Sequence, residues 1–291
     1  MNTTKDPLFL QLFVKHLNLY LLPVIVIVGT IGNILSFYVL IKSPQLRHQS
    51  ANVYLAFLSL VDTGFLCCLL IVWIDFLKMH TVFSLNGFCQ IIPYVTYVFG
   101  FLSVYTVVSF TVERFVVTYN PLKRYTLCTR RRAKINLATL SIIALIFYSF
   151  PLYMSAVIHH GTITACQPRP HFIKAAYILS SIDTVVTLLL PSVAILVLNV
   201  AIFVKIRQTF SAKETRRLGR HVSVSLDDGH VKSLKLQSST MSSQCRHGSI
   251  HQPSQHRAQV RTTVTLVILS TVFVVLNLPS HAPGFMLSSF L

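Results

Sequence analysis

The sequence predicts an all-α membrane protein, a bundle of membrane-crossing helices, and three observations carry that expectation. Of its 291 residues, 53% are hydrophobic and only 11% are charged, with a mean hydropathy of +0.64, well outside the composition of soluble domains of this size. Apolar stretches long enough to cross a hydrocarbon core of about 30 Å, which takes about 20 helical residues, recur along the chain. Lys and Arg gather in alternate connections between those stretches, the pattern left by membrane insertion.

Six stretches qualify, near 19–41, 51–77, 90–113, 134–158, 172–205 and 260–282. The first is too long for the apolar part of a signal peptide and no small-residue cleavage site follows Gly32 and Asn33, so it reads as a retained helix. With the N-terminus outside, the inner side receives 20 of the 25 basic residues: Lys42, Arg47, a group from Arg114 to Lys134, and eleven from Lys205 to Arg261. Lys5, Lys15, Lys78, Arg169 and Lys174 remain outside. The +17 charge is then largely topology and attraction to anionic inner-leaflet lipid. A nucleic-acid partner would need a soluble basic surface with groove-reading elements, and none is visible.

Cysteine placement fits this orientation. Cys89, at the outer end of the third stretch, and Cys166, between the fourth and fifth, fall on the oxidising side, where a Cys89–Cys166 bridge is expected. Cys67 and Cys68 lie inside the second stretch, and Cys128 and Cys245 fall in cytoplasmic loops, where thiols stay reduced. Asn2-Thr3-Thr4 is a glycosylation sequon on an outer tail of residues 1–18. Helices one to five with their loops occupy 19–207, and a sixth helix is expected at 258–282. Between them, 208–257 is polar and poor in aromatics, and reads as a disordered cytoplasmic loop. Within it Arg220 precedes Ser223 and Arg246 precedes Ser249 by three residues, a spacing open to basophilic kinases, or to chance in a solvated basic loop.

Glu113-Arg114 follows an apolar run directly. Ionisable residues at a membrane helix end are costly, so the pair has either a switching task or, for Arg114, a passive reach to headgroups. Glu113-Arg114-Phe115, followed by Asn120-Pro121-Leu122, resembles the D/E-R-Y/F motif and loop Pro-Leu of rhodopsin-like (class A) G-protein-coupled receptors. Gly32-Asn33, Leu58-Ser59-Leu60-Val61-Asp62, Cys89 twenty-five residues before Arg114, Pro191, and Phe273 with Pro279 agree in order and spacing. The resemblance implies a seven-transmembrane-type bundle in the plasma membrane. Six of its helices are present and the seventh is missing, because the sequence ends at Leu291 shortly after Pro283-Gly284, with 283–291 starting an outer loop. A fragment or truncated product is therefore expected rather than a complete receptor.

The same resemblance implies roles. Glu113, Arg114, Phe115, Pro121 and Leu122 would form the face that meets a heterotrimeric G protein, with kinases and arrestin as further partners. Outward movement of helix six would uncover Arg114, with Phe273, Asn277 and Pro279 as its switch residues; Pro279 removes a backbone hydrogen bond and permits a bend. Asn33, Asp62 and Ser103 match a polar core in which Asp62 and Ser103 hold a sodium ion; a protonated, hydrogen-bonded Asp62 is the alternative. Departures exist as well: helix four lacks the usual tryptophan, Asn199 replaces a common tyrosine, Asn277 replaces the aromatic toggle, and Gln259 cannot form an ionic lock with Arg114.

Thr96 stands where aminergic receptors carry an amine-binding aspartate, eighteen residues before Arg114, which disfavours a monoamine. The pocket expected from the resemblance is lined by Trp73, Asp75, Thr96, Tyr97, Gly100, Asp183, Ser280 and His281. Two acids among aromatics suit the cationic, aromatic end of a peptide such as Arg-Phe-amide. Asp183 is the first choice of anchor and Asp75 the second; the alternative for Asp183 is a hydrogen bond to a neighbouring helix. The Asn277-Leu278-Pro279-Ser280-His281 step resembles invertebrate neuropeptide receptors of the FMRFamide and myosuppressin type. Competing classes are a six-helix product that only binds a partner, and a six-span transporter or channel, for which no internal repeat is visible. A protease would need an oriented nucleophile or paired catalytic aspartates, and no catalytic residue is assigned.

Overall fold

The computed structural model describes residues 6–43, 49–77, 85–120, 124–160 and 163–227. In chain order the elements are α1 (Asp6–Lys42), α2 (Ser50–Phe76), α3 (Phe88–Tyr119), α4 (Arg124–Leu127), α5 (Arg130–Phe147), α6 (Phe150–Met154), β1 (Ser155–His160) and β2 (Ile163–Pro168). A 3-10 turn, Pro170–Phe172, then leads to α7 (Ile173–Thr184), a π-helical turn (Val185–Leu189) and α8 (Leu190–Asp227). Five of the described segments are long and apolar enough to cross a membrane, at Leu19–Lys42, Ser50–Asp75, Phe88–Tyr119, Arg130–Met154 and Pro170–Thr209. The sixth expected span, 258–282, and the segment 283–291 lie outside the described residues.

Helix α3 is the spine, packing against α2, α5, α6 and α8. It starts where Gly87 takes φ 94°, a left-handed conformation that costs glycine little, and Gly87 N–H donates to Gln90 Oε1 at 2.7 Å. Helix α5 starts at Thr129, whose hydroxyl accepts from Arg132 N–H at 3.4 Å. Small residues let the helices approach. A Cβ on Gly64 of α2 would fall 2.5 Å from Phe99 Cε2 of α3. Val61, Val98, Phe101, Leu102, Ala144 and Tyr148 form one buried cluster, and Ala51, Tyr54, Phe110, Ala133 and Leu137 another, around the N-terminal turns of α2 and α5.

Two stretches depart from the sequence reading. The fourth span does not run as a helix to residue 158: α5 ends at Phe147, a short α6 begins ahead of Pro151, and Ser155–His160 is a strand. Proline blocks a continuous helix, and β-branched Val157 and Ile158 suit the antiparallel pairing of Val157 with Cys166 and Ile158 with Ala165. At the other end, 208–227 is not loop, since α8 runs on to Asp227. Lys213, Glu214, Arg216 and Arg217 propagate a helix well, and neither Gly nor Pro interrupts before Gly219.

Candidate functional site

Helix α3 carries candidate residues at three depths. Thr96, Tyr97 and Gly100 lie in its N-terminal half, the outer half in the orientation expected from the sequence, Ser103 near the middle and Glu113-Arg114-Phe115 near its C-terminal, inner end. At 1.5 Å per residue, Tyr97 and Arg114 are about 25 Å apart along the axis.

The outer level is an acid walled by aromatic rings. Asp183 of α7 is 5% exposed and its Oδ1 accepts from Oη of Tyr148, the C-cap residue of α5, at 2.6 Å. Tyr148 is fully buried and stacks on Tyr97 with centroids 5.6 Å apart and planes 9° apart; Phe150 lies 5.6 Å from Tyr97. Tyr97 and Ser180 share a side-chain hydrogen bond. Thr187 Oγ1 donates to the Asp183 carbonyl at 2.7 Å. The bond to a neighbouring helix, weighed above against a ligand contact for Asp183, is thus present. Thr96 turns its hydroxyl into its own helix, onto Ile92 O at 2.7 Å. Gly100 faces Phe65, from which a Cβ would stand 3.7 Å. Trp73 and Asp75 are half-buried in the last turn of α2, and the indole Nε1 of Trp73 is buried with no hydrogen-bond partner among the described residues. Ser280 and His281 lie outside the described residues, as do Phe273, Asn277, Pro279 and Asn2. Tyr148 was not singled out in the sequence; the signal available was a tyrosine inside an apolar span, whose hydroxyl needs a partner once buried.

Above this level the Cys89–Cys166 disulfide joins the start of α3 to β2, with Cα atoms 5.5 Å apart. Both cysteines are buried beside Ile92. The bridge pins the hairpin to the outer end of the spine.

At mid-depth the Asp62 and Ser103 side chains are hydrogen-bonded. They bring two hard oxygen donors together, from α2 and α3. Asn33 is half-buried on α1.

At the inner level Glu113 Oε1 accepts from Ser50 Oγ at 2.6 Å, tying α3 to the first residue of α2. The Arg114 guanidinium lies over the Phe110 ring, 4.9 Å from its centroid. Phe115 packs on Tyr119 at 4.4 Å, and Tyr119 Oη donates to Ala201 O of α8 at 3.2 Å. Helix α3 runs past the motif and ends with Asn120 as its C-cap, so the pair sits in its last two turns rather than at its tip. Pro121 and Leu122 lie outside the described residues. Ser50 and Tyr119 carry no motif, and only the packing of α2 and α8 on α3 brings them in.

Residues 32–290 match the model of the family described as 7 transmembrane receptor (rhodopsin family). Among curated proteins, the chain is 31% identical over 135 residues to the FMRFamide peptide receptor frpr-18 of Caenorhabditis elegans, covering 44% of this chain and 30% of that protein. It is 26% identical over 151 residues to galanin receptor 2a of Danio rerio, covering 50% and 40% respectively. It is 26% identical over 233 residues to the FMRFamide receptor of Drosophila melanogaster, covering 68% and 40%. The matches thus span well under half the length of these relatives. A spine helix with Glu113-Arg114-Phe115 near its inner end, a disulfide at its outer end, and a family match over nearly the whole sequence agree: the chain belongs to the rhodopsin family of seven-transmembrane receptors, a family of receptors and not of enzymes.

Proposed function

We propose that this protein is a plasma-membrane receptor, N-terminus outside, that binds an extracellular peptide with a cationic and aromatic end and activates a heterotrimeric G protein. The observation that carries the reading is Asp183, a carboxylate enclosed by Tyr97 and Tyr148 on the outer half of the bundle whose inner end carries Arg114. Tyr148 offers the acid one neutral donor. A guanidinium offers two charge-assisted donors in a fork and can take that place, while a neighbouring phenyl group stacks on Tyr97. Likeness to FMRFamide receptors supports an Arg-Phe-amide terminus as the ligand class.

At the inner face, Arg114 leaves Phe110 when helix six moves outward and contacts the G protein, with Leu122 inserting as an apolar knob. Asp62 and Ser103 hold a sodium ion that favours the resting arrangement; a carboxylate beside a hydroxyl is a donor set of the hardness sodium requires. Phosphorylation near Ser223 and Ser249 recruits arrestin.

The test is nucleotide exchange on G proteins in membranes carrying the receptor, driven by a panel of amidated peptides. Asp183→Asn is expected to lower the potency of an Arg-Phe-amide peptide at least about tenfold, a loss of about 1.4 kcal/mol, while Arg114→Ala abolishes exchange without abolishing peptide binding. Unchanged potency in Asp183→Asn removes the acid from the pocket, and flux of a solute without exchange supports the transporter alternative instead.

A further inference from the structure

Where the fourth span ends and the fifth begins, at the end of the bundle that carries the disulfide, rings and cations stand together on the side turned away from the helices. Tyr153 of α6 is 65% exposed, and the Arg169 guanidinium lies over its ring, 5.7 Å from the centroid. Phe172 meets the same ring edge-on, with centroids 5.5 Å apart. Backbone bonds fix this contact: Arg169 N–H donates to Met154 O at 2.8 Å, and Phe172 N–H donates to Arg169 O at 2.8 Å. The base of the hairpin therefore holds Arg169 against α6 and starts α7 in one tight turn. Along α7, Lys174, Tyr177, Ile178 and Ile182 are exposed, whereas Ser180 and Asp183 turn inward to Tyr97 and Tyr148. Spacings of three and four residues put the exposed set on one face, the face away from the acid.

No acid shares this surface with Arg169 and Lys174. The sequence holds no Asp or Glu between Glu113 and Asp183, and Asp183 is buried against Tyr148 on the opposite face of α7. Depth decides which anion fits. Tyr153 lies in the last turn of one apolar span, Arg130–Met154, and Tyr177 near the start of the next, Pro170–Thr209, while Arg169 stands immediately before it. Tyrosine rings at the ends of spans, with cations at their edge, lie at the level of the lipid headgroups. A soluble acidic protein would reach the cations and not the rings. Towards the bilayer centre the surface turns apolar: Ile146 and Phe147 of α5 and Ile178 and Ile182 of α7 are 44% to 70% exposed. A sterol would fit that track and leave both cations without an anion, whereas a phospholipid supplies the phosphate and the chain together.

We propose that this surface binds one phospholipid from the leaflet at the disulfide end, the outer leaflet in the orientation proposed above. Arg169 and Lys174 hold the phosphate, the Tyr153 ring steadies the guanidinium so that its N–H groups face the headgroup, and an acyl chain lies along the apolar surface of α5 and α7. The surface is on the far side of α7 from Asp183, so the inference stands whether or not a peptide binds at that acid or a G protein couples at Arg114.

The experiment is native mass spectrometry of the purified full chain, titrated in micelles with dioleoylphosphatidylcholine or with dioleoylglycerol, which has the same chains and no phosphate. The parent is expected to keep one phosphatidylcholine as the micelle is stripped away, and no dioleoylglycerol. Arg169→Gln and Lys174→Gln are each expected to lower the bound fraction at least about fivefold, while Arg169→Lys, which keeps the charge, retains most of it. Equal retention by the parent and Arg169→Gln overturns the assignment of the phosphate to these cations. Equal retention of dioleoylglycerol overturns the claim that a headgroup is recognised at all. A second measurement locates the surface in an intact bilayer. Trp73 is the sole tryptophan of the sequence, so Tyr153→Trp combined with Trp73→Phe reports from the cluster alone. In nanodiscs, lipid brominated near the glycerol end of its chain is expected to quench this variant more than lipid brominated near the chain terminus. Stronger quenching by the deep bromine, or quenching by neither, overturns the placement of the cluster at the headgroups.

Discussion

Tyr148→Phe isolates one hydrogen bond inside the bundle. Tyr148 is fully buried, Asp183 is 5% exposed, and their contact is 2.6 Å. The phenylalanine ring keeps the stack on Tyr97 and the contact with Phe150, so the variant loses an oxygen without opening a large cavity. A hydrogen bond to a charged group contributes about 1.5–3 kcal/mol. Taking about 2 kcal/mol, and about 2–4 °C per kcal/mol for a chain of this scale, the unfolding midpoint falls by about 6 °C. The assay is far-UV circular dichroism of the protein in detergent micelles during heating. Replacing both partners, Tyr148→Phe with Asp183→Leu, recovers most of the loss, because no buried polar group is then left unpaired. A single variant that melts within about 1 °C of the parent refutes the reasoning, since it would mean that the hydroxyl contributes nothing net to the folded state.

Cys89→Ser opens a bridge between residues 77 apart in sequence, and chain entropy alone sets the cost at about 4.5 kcal/mol. The expected outcome is a lower yield of folded protein and a midpoint that no longer responds to reducing agent, with mass spectrometry of non-reduced peptides as the check. Ser50→Ala removes the 2.6 Å donor to the half-buried Glu113 and is expected to lower the midpoint by about 3 °C, measured in the same melts. A Ser50→Thr variant retains the donor and most of the stability.

How much of this was legible in the sequence follows from the range of each interaction. The spans were readable because a run of about 20 apolar residues is a local property. The Cys89–Cys166 pair was readable because both cysteines fall on one side of the membrane. Asp183 stood out because an acid inside a span must meet something; that it meets Tyr148, 35 residues earlier, was not readable. The hairpin of β1 and β2 was missed because Ser155–His160 continues an apolar run, and apolarity alone does not separate a buried helix end from a strand. The extension of α8 to Asp227 was missed for the opposite reason, since polarity was read as disorder although the residues are good helix formers.

The sequence by itself determined the class of protein, the candidate spans, the placement of charge and the register of Glu113-Arg114 against Asp62, Cys89 and Pro191. All of these are set by order and composition along one chain. The tertiary structure alone decided which side chains complete each level: Tyr148 on Asp183, Ser50 on Glu113, and Tyr105 on the Val186 carbonyl. Each joins residues on different helices, brought within 3.1 Å or less by the packing of apolar faces, and no periodicity encodes which hydroxyl will stand opposite which acceptor.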